Sequence, residues 1–173
     1  GLNGRKAATL EEAQRLNETA RHRCTGLCIE TRPDHCGPEE IKRMLEFGTT
    51  RVELGVQTLD DDIYRLTRRG QQVADVVNAT ALLKRYGFKV HYHWMPGLPG
   101  ATPELDLALF KRLFSDPRFR PDGLKLYPTV VVADTELEQW YHTGRYQPYP
   151  DEVMINLVTE IKTLVPKYVR ISR

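Results

Sequence analysis

Short β-rich runs alternate with amphipathic segments along the chain, and glycine- and proline-rich turns separate them. The predicted strands are 26–30, 51–57, 88–95, 123–127 and 168–171. The predicted helices are 9–22, 37–47, 60–67, 73–86, 102–114, 136–142 and 151–164. Because parallel strands need a long crossover, usually a helix, this alternation predicts an α/β fold with a parallel sheet.

Each predicted strand divides into one apolar and one polar face, since successive side chains point to opposite sides of a sheet. In 51–57, for example, Val52, Leu54 and Val56 oppose Glu53 and Gln57. Parallel sheets are usually apolar on both faces, and an ordinary closed barrel is filled with branched aliphatic side chains. The pattern therefore predicts a barrel or partial barrel with helices outside and a polar lumen.

Polar residues fall near the carboxyl ends of four predicted strands: Glu30, Gln57, His93 and Lys125. Barrels and open α/β sheets bind ligands at this end, so we predict a functional site there. Two alternatives remain open. The polar face is either solvated, or it holds an internal ion-pair network formed by Arg51, Glu53, His91 and Lys125.

Length, apolar runs and charge limit the class of protein. The 173 residues predict one domain, 1–173. No apolar run reaches the ~20 residues of a membrane-spanning helix, so we expect no membrane partner and a soluble, cytoplasmic protein. The net charge of +2 is too small to indicate a polyanionic partner by itself.

Three cysteines do not predict a disulfide framework. Cys24 and Cys28 have the spacing that opens a CxxxCxxC iron–sulfur motif, but Thr31 stands at the third position. A zinc site that adds Cys36, His22 and His35 fits no standard spacing. We therefore interpret the cysteines as reduced thiols and predict no metal ligand in this chain.

Two further features allow both a functional and a structural interpretation. The turn 96–100, PGLPG, either brings its backbone close to a ligand or only connects a strand to a helix. Arg65, Arg68 and Arg69 either bind phosphates or complement the dipole of the short helix 60–67. One of these arginines is expected to turn inward.

Four segments together resemble the catalytic subunit of Elongator, a family of tRNA uridine acetyltransferases in the radical S-adenosylmethionine superfamily. They are 28–36 (CIETRPDHC), 51–57 (RVELGVQ), 92–100 (YHWMPGLPG) and 124–129 (LKLYPT). The resemblance implies an α/β, partial TIM-type (β/α) barrel of the radical S-adenosylmethionine kind. It also implies an enzyme, an acyltransferase that modifies C5 of the wobble uridine of tRNA in acetyl-CoA-dependent carboxymethyluridine synthesis.

The resemblance implies roles for individual residues as well. The cofactor-binding set would be Glu30, Gln57, Arg69 and His93. Residues that would contact the substrate or tRNA are Lys125, Tyr127, Arg32 and Arg68. The family carries an aspartate in some members where this chain has His93. No catalytic residue is assigned.

Cofactors and partners follow from the same resemblance. The implied cofactors are S-adenosylmethionine, a four-iron four-sulfur cluster and acetyl-CoA. In the family, the cluster cysteines precede the stretch that 1–173 resembles, and the acetyltransferase domain would follow Arg173. We therefore expect 1–173 to be the central and later part of the barrel, inactive alone. The implied partners are tRNA and either other Elongator subunits or a second copy of the protein.

Two other functions remain open. The first is a noncatalytic tRNA-binding or scaffold module with a degenerate barrel. The second is a barrel enzyme that acts on a phosphorylated small molecule, which would require phosphate contacts at the later loops.

Overall fold

The computed structural model describes residues 6–172, so 1–5 and Arg173 of the predicted domain lie outside the described residues. The strands are β1 (Cys28–Thr31), β2 (Arg51–Gln57), β3 (Lys89–Trp94), β4 (Gly123–Leu126) and β5 (Arg170–Ile171). The helices are α1 (Leu10–Glu18), α2 (Pro38–Glu46), α3 (Asp61–Leu66), α4 (Val73–Arg85), α5 (Pro103–Ser115), α6 (Glu136–His142) and α7 (Asp151–Thr163). A 3-10 turn covers Pro33–His35.

The five strands form one parallel sheet in the order β1-β2-β3-β4-β5. Each strand therefore pairs with the next one in the sequence, and helices lie in the connections. This is the strand order of a (β/α) barrel, in which successive strand–helix units stand side by side. The predicted α/β, partial TIM-type barrel is confirmed.

The apolar strand faces form the core together with the helices. Val52, Leu54, Val90 and Trp94 are almost completely buried. Buried side chains of the helices join the same core: Ile41, Met44, Val76, Leu83, Phe110, Leu113, Leu157 and Ile161. Because the helices cover this face, we call the opposite face, which carries Glu53 and Gln57, the lumen face.

Side chains of threonine and aspartate define where several helices begin. Thr9, Thr102 and Thr135 each accept a hydrogen bond from a backbone N–H in the first turn of α1, α5 and α6. Asp60 does the same at α3 and accepts from two backbone N–H groups. Such caps satisfy N–H groups that have no partner inside the helix, so the local sequence sets these starts.

Two predicted boundaries at the amino-terminal end were wrong. Helix α1 ends at Glu18 because the side chain of Asn17 binds the backbone N–H and C=O of Cys24, which turns the chain. Strand β1 begins at Cys28, since its partner strand starts at Arg51, the residue that pairs with Cys28. Leu27 consequently precedes the strand and is exposed rather than part of its apolar face.

No helix among residues 6–172 is both long enough and apolar enough to cross a bilayer.

Candidate functional site

The predicted strand-end residues do lie near the carboxyl ends of the first four strands. Gln57 is the last residue of β2, and Glu30, His93 and Lys125 are each one residue before the end of their strands. Glu30 pairs with Glu53 across the sheet, and His93 pairs with Lys125. The sheet therefore brings these side chains together on the lumen face, as expected from the sequence.

Glu53, in the middle of β2, contacts two of these side chains, those of His93 and Lys125. Its carboxylate is buried and hydrogen-bonds to Nε2 of His93 at 3.0 Å. It also forms ion pairs with Nζ of Lys125 and, at 3.4 Å, with Nε of Arg51. Lys125 Nζ donates a second hydrogen bond to Oε1 of Glu30 at 2.6 Å. We call Glu30, Glu53, His93 and Lys125 the carboxylate cluster.

The contacts in the carboxylate cluster favour the charged forms of Glu53 and Lys125. Burial by itself would raise the pKa of Glu53, but hydrogen bonds from His93 and Lys125 outweigh it and hold that pKa well below its usual value. Hydrogen bonds to Glu30 and Glu53 raise the pKa of Lys125. Glu53 and Lys125 are thus an anion and a cation at neutral pH.

The internal ion-pair network considered for the polar face is correct in part. Arg51, Glu53 and Lys125 belong to it, but among the described residues His91 forms no ion pair. The ring of His91 instead lies over Gly123, where an ideal Cβ would be 2.5 Å from it. The absence of a side chain at position 123 makes room for this ring.

A second group of polar side chains lies at Gly55, two residues before the end of β2. Nη2 of Arg69 donates a hydrogen bond to the backbone oxygen of Gly55 at 3.0 Å. An ideal Cβ on Gly55 would lie 2.5 Å from that nitrogen and 3.6 Å from Nε2 of Gln57. Arg69 is therefore the arginine that turns inward, and its guanidinium and the Gln57 amide both lie close to the bare backbone of Gly55.

Two buried polar atoms of this second group have no hydrogen-bond partner among the described residues: Oε1 of Gln57 and Nε of Arg69. Burial, and after it the nearby charge of Arg32, lowers the pKa of Arg69. A half-desolvated guanidinium and an unused amide oxygen are costly unless a ligand binds them. They can bind a ligand that offers both an anionic acceptor and a donor.

Tyr127 lies within electrostatic reach of both groups. Its ring meets the His93 ring edge to face, with centroids 5.8 Å apart. Burial raises the pKa of Tyr127, and the charges of Lys125 and Arg69 act in the opposite direction. We treat the carboxylate cluster and the group at Gly55 as one candidate site.

The two remaining predicted arginines differ in position. Arg32 is paired with Asp34, and its Nη2 would lie 3.0 Å from a Cβ on Gly70, next to Arg69. Arg68 points away from Arg69 and forms an exposed ion pair with Glu136 of α6 at 3.1 Å. It also lines a separate cavity of about 280 Å³. Arg32 therefore borders the site, whereas Arg68 does not reach it.

The turn 96–100 is held from within the chain. Gly97 N–H donates to the buried carboxylate of Asp106 at 2.8 Å, and its carbonyl accepts from the Tyr146 hydroxyl at 2.7 Å. The hydroxyl of Tyr149 donates to the same carboxylate at 3.0 Å. Burial raises the pKa of Asp106 to about 6. These contacts support the structural interpretation of the turn.

The cysteines do not form a common ligand set. Cys24 is exposed, Cys28 is half-buried on the lumen face, and Cys36 is buried. In the described part of the chain, the one group with three possible metal ligands is instead Glu30, Glu53 and His93, whose ligand atoms lie within 4.8 Å of one another. Lys125 already donates to both of these carboxylates, so an ammonium group supplies the local positive charge.

Two residues of β2 have a larger role in the structure than the sequence predicted. The sequence pattern placed Glu53 only in the alternative ion-pair network and indicated no role for Gly55. Both lie on the polar face of 51–57, and a glycine at the carboxyl end of a strand is a signal for a close approach. What the sequence cannot show is that Arg69, fourteen residues later, fills the space beside Gly55.

Comparisons with known proteins agree with this architecture. The radical SAM superfamily model matches residues 3–111, and the radical SAM C-terminal domain model matches 121–173. The tRNA uridine(34) acetyltransferase of Dehalococcoides mccartyi is 68% identical over 99% of this chain, which covers 38% of that protein. Elongator complex protein 3 of Drosophila melanogaster is 43% identical over 99% of this chain, which covers 31% of it.

A solved structure has the same fold. The archaeal Elp3 of Methanocaldococcus infernus with an N-terminal deletion superimposes with a TM-score of 0.96 at 49% identity, over 99% of this chain and 40% of that one. The chain spans about a third of the length of the curated relatives it matches. The resemblance to the Elongator catalytic-subunit family extends over nearly the whole chain. Since the superfamily model covers more than half of its residues, the chain belongs to the radical SAM superfamily.

Proposed function

We propose that this chain forms the central and later part of the radical S-adenosylmethionine domain of an enzyme that modifies uridine 34 of tRNA. The names of the relatives support this proposal, because tRNA uridine(34) acetyltransferases match 99% of the chain. The observation that carries it is the approach of both Gln57 and Arg69 to the bare backbone of Gly55, on the strand that also carries Glu53 of the carboxylate cluster. A site of this kind at the carboxyl ends of barrel strands is where ligands bind in such folds.

The lumen residues fit S-adenosylmethionine, the cofactor that this superfamily uses with a four-iron four-sulfur cluster. The cofactor carries a carboxylate, an ammonium group and a nucleoside. Arg69 would bind an anionic group, and the free Oε1 of Gln57 would accept a hydrogen bond from a donor. Glu30 and His93, at the ends of the neighbouring strands, would complete the cofactor wall.

The described residues do not fit the iron–sulfur cluster. Its ligands are thiolates, and Cys24, Cys28 and Cys36 do not come together. We propose that the cluster ligands belong to a part of the protein outside 1–173, as does an acetyltransferase domain that would bind acetyl-CoA.

When bound, the cofactor pair supplies radical chemistry, the abstraction of a hydrogen atom. The residues of this chain would orient and shield the reactants. Lys125 and Tyr127 would contact the uridine or the acetyl group, and the carboxylate cluster would fix the position of Lys125. The base of uridine 34 would have to leave its stack to reach the lumen face.

Contacts with the rest of the tRNA would come from the border of the site. Arg32 lies at this border, and Arg68 lies farther out, where it is exposed and paired with Glu136. Both would bind phosphates, and such contacts weaken with salt. We further propose a cytoplasmic location, and either other Elongator subunits or a second copy of the protein as partners.

The experiment is an S-adenosylmethionine titration of the full-length, cluster-loaded protein by calorimetry. Gln57→Ala and Arg69→Ala should each weaken binding about 10- to 100-fold, the range expected for a hydrogen bond to a charged ligand. Arg65→Ala is the matched control, because Arg65 is exposed and pairs with Asp62 on the same helix. Equal affinity of all four proteins would overturn the site assignment.

A wild-type protein that binds tRNA but no S-adenosylmethionine would instead support a noncatalytic tRNA-binding or scaffold module.

A further inference from the structure

The end of strand β2 has an unusual backbone. Its register against β3 shifts between Leu54 and Gln57, with one more residue on β2 than on its partner. Gln57 has φ +71, a value that side chains other than glycine rarely adopt. The N–H of Thr58 donates to the carbonyl of Val56 at 2.9 Å, which closes a γ-turn around Gln57.

Such a turn is strained, and it persists only where the surroundings fix it. Gln57 is also the residue whose buried amide oxygen has no partner among the described residues, and whose amide nitrogen lies 3.6 Å from the ideal Cβ position of Gly55. The direction of its side chain depends on this backbone conformation. The groups that fix the turn therefore also decide whether Gln57 faces Gly55 and Arg69.

Two buried side chains outside the lumen bind the carbonyls on either side of Gln57. Nε2 of Gln71 donates to the carbonyls of both Gly55 and Val56, each at 3.2 Å. The hydroxyl of Tyr64 lies 2.8 Å from the carbonyl of Val56 and contacts that of Thr58. Gln71 and Tyr64 are 3% and 2% exposed, so water does not compete for these carbonyls.

We infer that Gln71, with Tyr64, is a positioning residue for the cofactor site: it holds the γ-turn that directs Gln57 toward Arg69. Both side chains are almost completely buried, and in this inference they act through the backbone rather than by touching the ligand. An amide nitrogen has two hydrogens, so a single Gln71 nitrogen can satisfy both carbonyls, which leucine of similar size cannot. The inference rests on the proposed function, since it assumes that Gln57 binds the cofactor.

A purely structural role for Gln71 gives a different expectation. In that case Gln71→Leu would lower stability, and any loss of affinity would be independent of Gln57. If Gln71 acts through Gln57, the two substitutions must be coupled in binding. A double-mutant cycle on cofactor affinity separates these cases.

The test measures S-adenosylmethionine binding to the full-length, cluster-loaded protein. Gln71→Leu should weaken binding about 10-fold, and Gln72→Leu, the matched control at an exposed neighbouring glutamine, should leave it unchanged. In a Gln57→Ala background, adding Gln71→Leu should weaken binding by a further factor of less than about 2. Tyr64→Phe, which removes only a hydroxyl, should show the same coupling and replaces Gln71→Leu if that variant does not fold.

Each contrary result has a defined meaning. If Gln57→Ala weakens binding but Gln71→Leu and Tyr64→Phe do not, the positioning role is wrong and the proposed site stands. A full 10-fold loss from Gln71→Leu in the Gln57→Ala background also rejects the positioning role. If Gln57→Ala itself binds as the wild type does, the proposed site fails, and the inference fails with it.

Discussion

Arg69 occupies the space that a side chain at position 55 would take. Its Nη2 lies 2.5 Å from the ideal Cβ position of Gly55 and donates to the carbonyl of the same residue. The backbone of Gly55 has no positive φ, so alanine fits the strand conformation there. Glycine at this position is therefore explained by the close approach of Arg69, not by backbone geometry.

Gly55→Ala should separate ligand binding from folding. The new methyl group would clash only with the end of the flexible Arg69 side chain, since Gln57 Nε2 and the Thr31 carbonyl lie at ordinary contact distance, so we expect a small change in the free energy of unfolding. Arg69 must move, and S-adenosylmethionine affinity of the full-length protein should fall about 10-fold or more. Calorimetric titration and thermal unfolding measure the two effects.

Gly26→Ala is the control for this substitution. A Cβ on Gly26 would lie 3.5 Å from Oγ1 of Thr50, an ordinary contact, so both affinity and stability should stay unchanged. Wild-type affinity in Gly55→Ala would contradict the placement of Arg69 in the site.

Lys125→Gln should destabilise the protein and alter its acid unfolding. The substitution leaves the buried carboxylate of Glu53 with His93 and Arg51 as partners, and we expect a loss of about 2 kcal/mol at pH 7. Because the pKa of Glu53 is below its unfolded value, its ionised form stabilises the fold above the unfolded pKa and that stability is lost as pH falls. Without Lys125 this pKa moves back toward its unfolded value, so the variant should lose less stability on acidification and its pH profile should be flatter.

Denaturant unfolding between pH 3 and 7 measures this change. Lys111→Gln is the matched control, because Lys111 forms an exposed ion pair with Glu160 at 3.9 Å, and exposed pairs contribute little. Identical pH profiles for Lys125→Gln and the wild type would reject the role of Lys125 as a partner of Glu53.

Asp106→Asn should remove a pH dependence of stability whose sign is opposite to that of Glu53. Burial raises the pKa of Asp106 to about 6, above its unfolded value, so its contribution is fully present at low pH and is lost as pH rises through about 6. An asparagine oxygen can still accept from Gly97 and Tyr149. Relative to the variant, the wild type should lose up to about 3 kcal/mol between pH 4 and 7.

The measurement is the difference in unfolding free energy between wild type and variant across this pH range. Asp134→Asn, at an exposed carboxylate, should give a flat difference. A flat difference for Asp106→Asn too would mean that Asp106 is ionised in the fold without cost.

The fold and half of the site could be predicted from local pattern. Strand β2 has the predicted bounds, because Arg51–Gln57 combines strict alternation with clear turn signals at both ends. The alternation also places Glu53 and His93 on the lumen face. Pairing of neighbouring strands then brings these residues together without any further information.

The remaining part depends on contacts that the local sequence does not encode. The sequence does not distinguish the three neighbouring arginines, Arg65, Arg68 and Arg69. Only the packed structure shows that Arg69 turns inward, while Arg65 and Arg68 pair with carboxylates at the surface. The γ-turn at Gln57 is likewise invisible in the sequence, since its supports come from residues 64 and 71.

Arg68→Ala tests the proposed phosphate contact of Arg68. Arg68 and Glu136 are both largely exposed, so the loss of their ion pair should change stability by less than about 1 kcal/mol. If Arg68 binds a phosphate, tRNA affinity of the full-length protein should decrease, and the slope of log affinity against log salt should fall by about one. Arg65→Ala is the control, and equal slopes for both variants and the wild type would exclude the contact.

The most direct measurement is a crystal structure of the full-length protein with S-adenosylhomocysteine, the unreactive analogue of the cofactor. We predict that the analogue lies against Gly55, within hydrogen-bond distance of Oε1 of Gln57 and the guanidinium of Arg69. An analogue bound elsewhere, for example in the separate cavity beside Arg68, with Gln57 and Arg69 still without partners, would contradict the account.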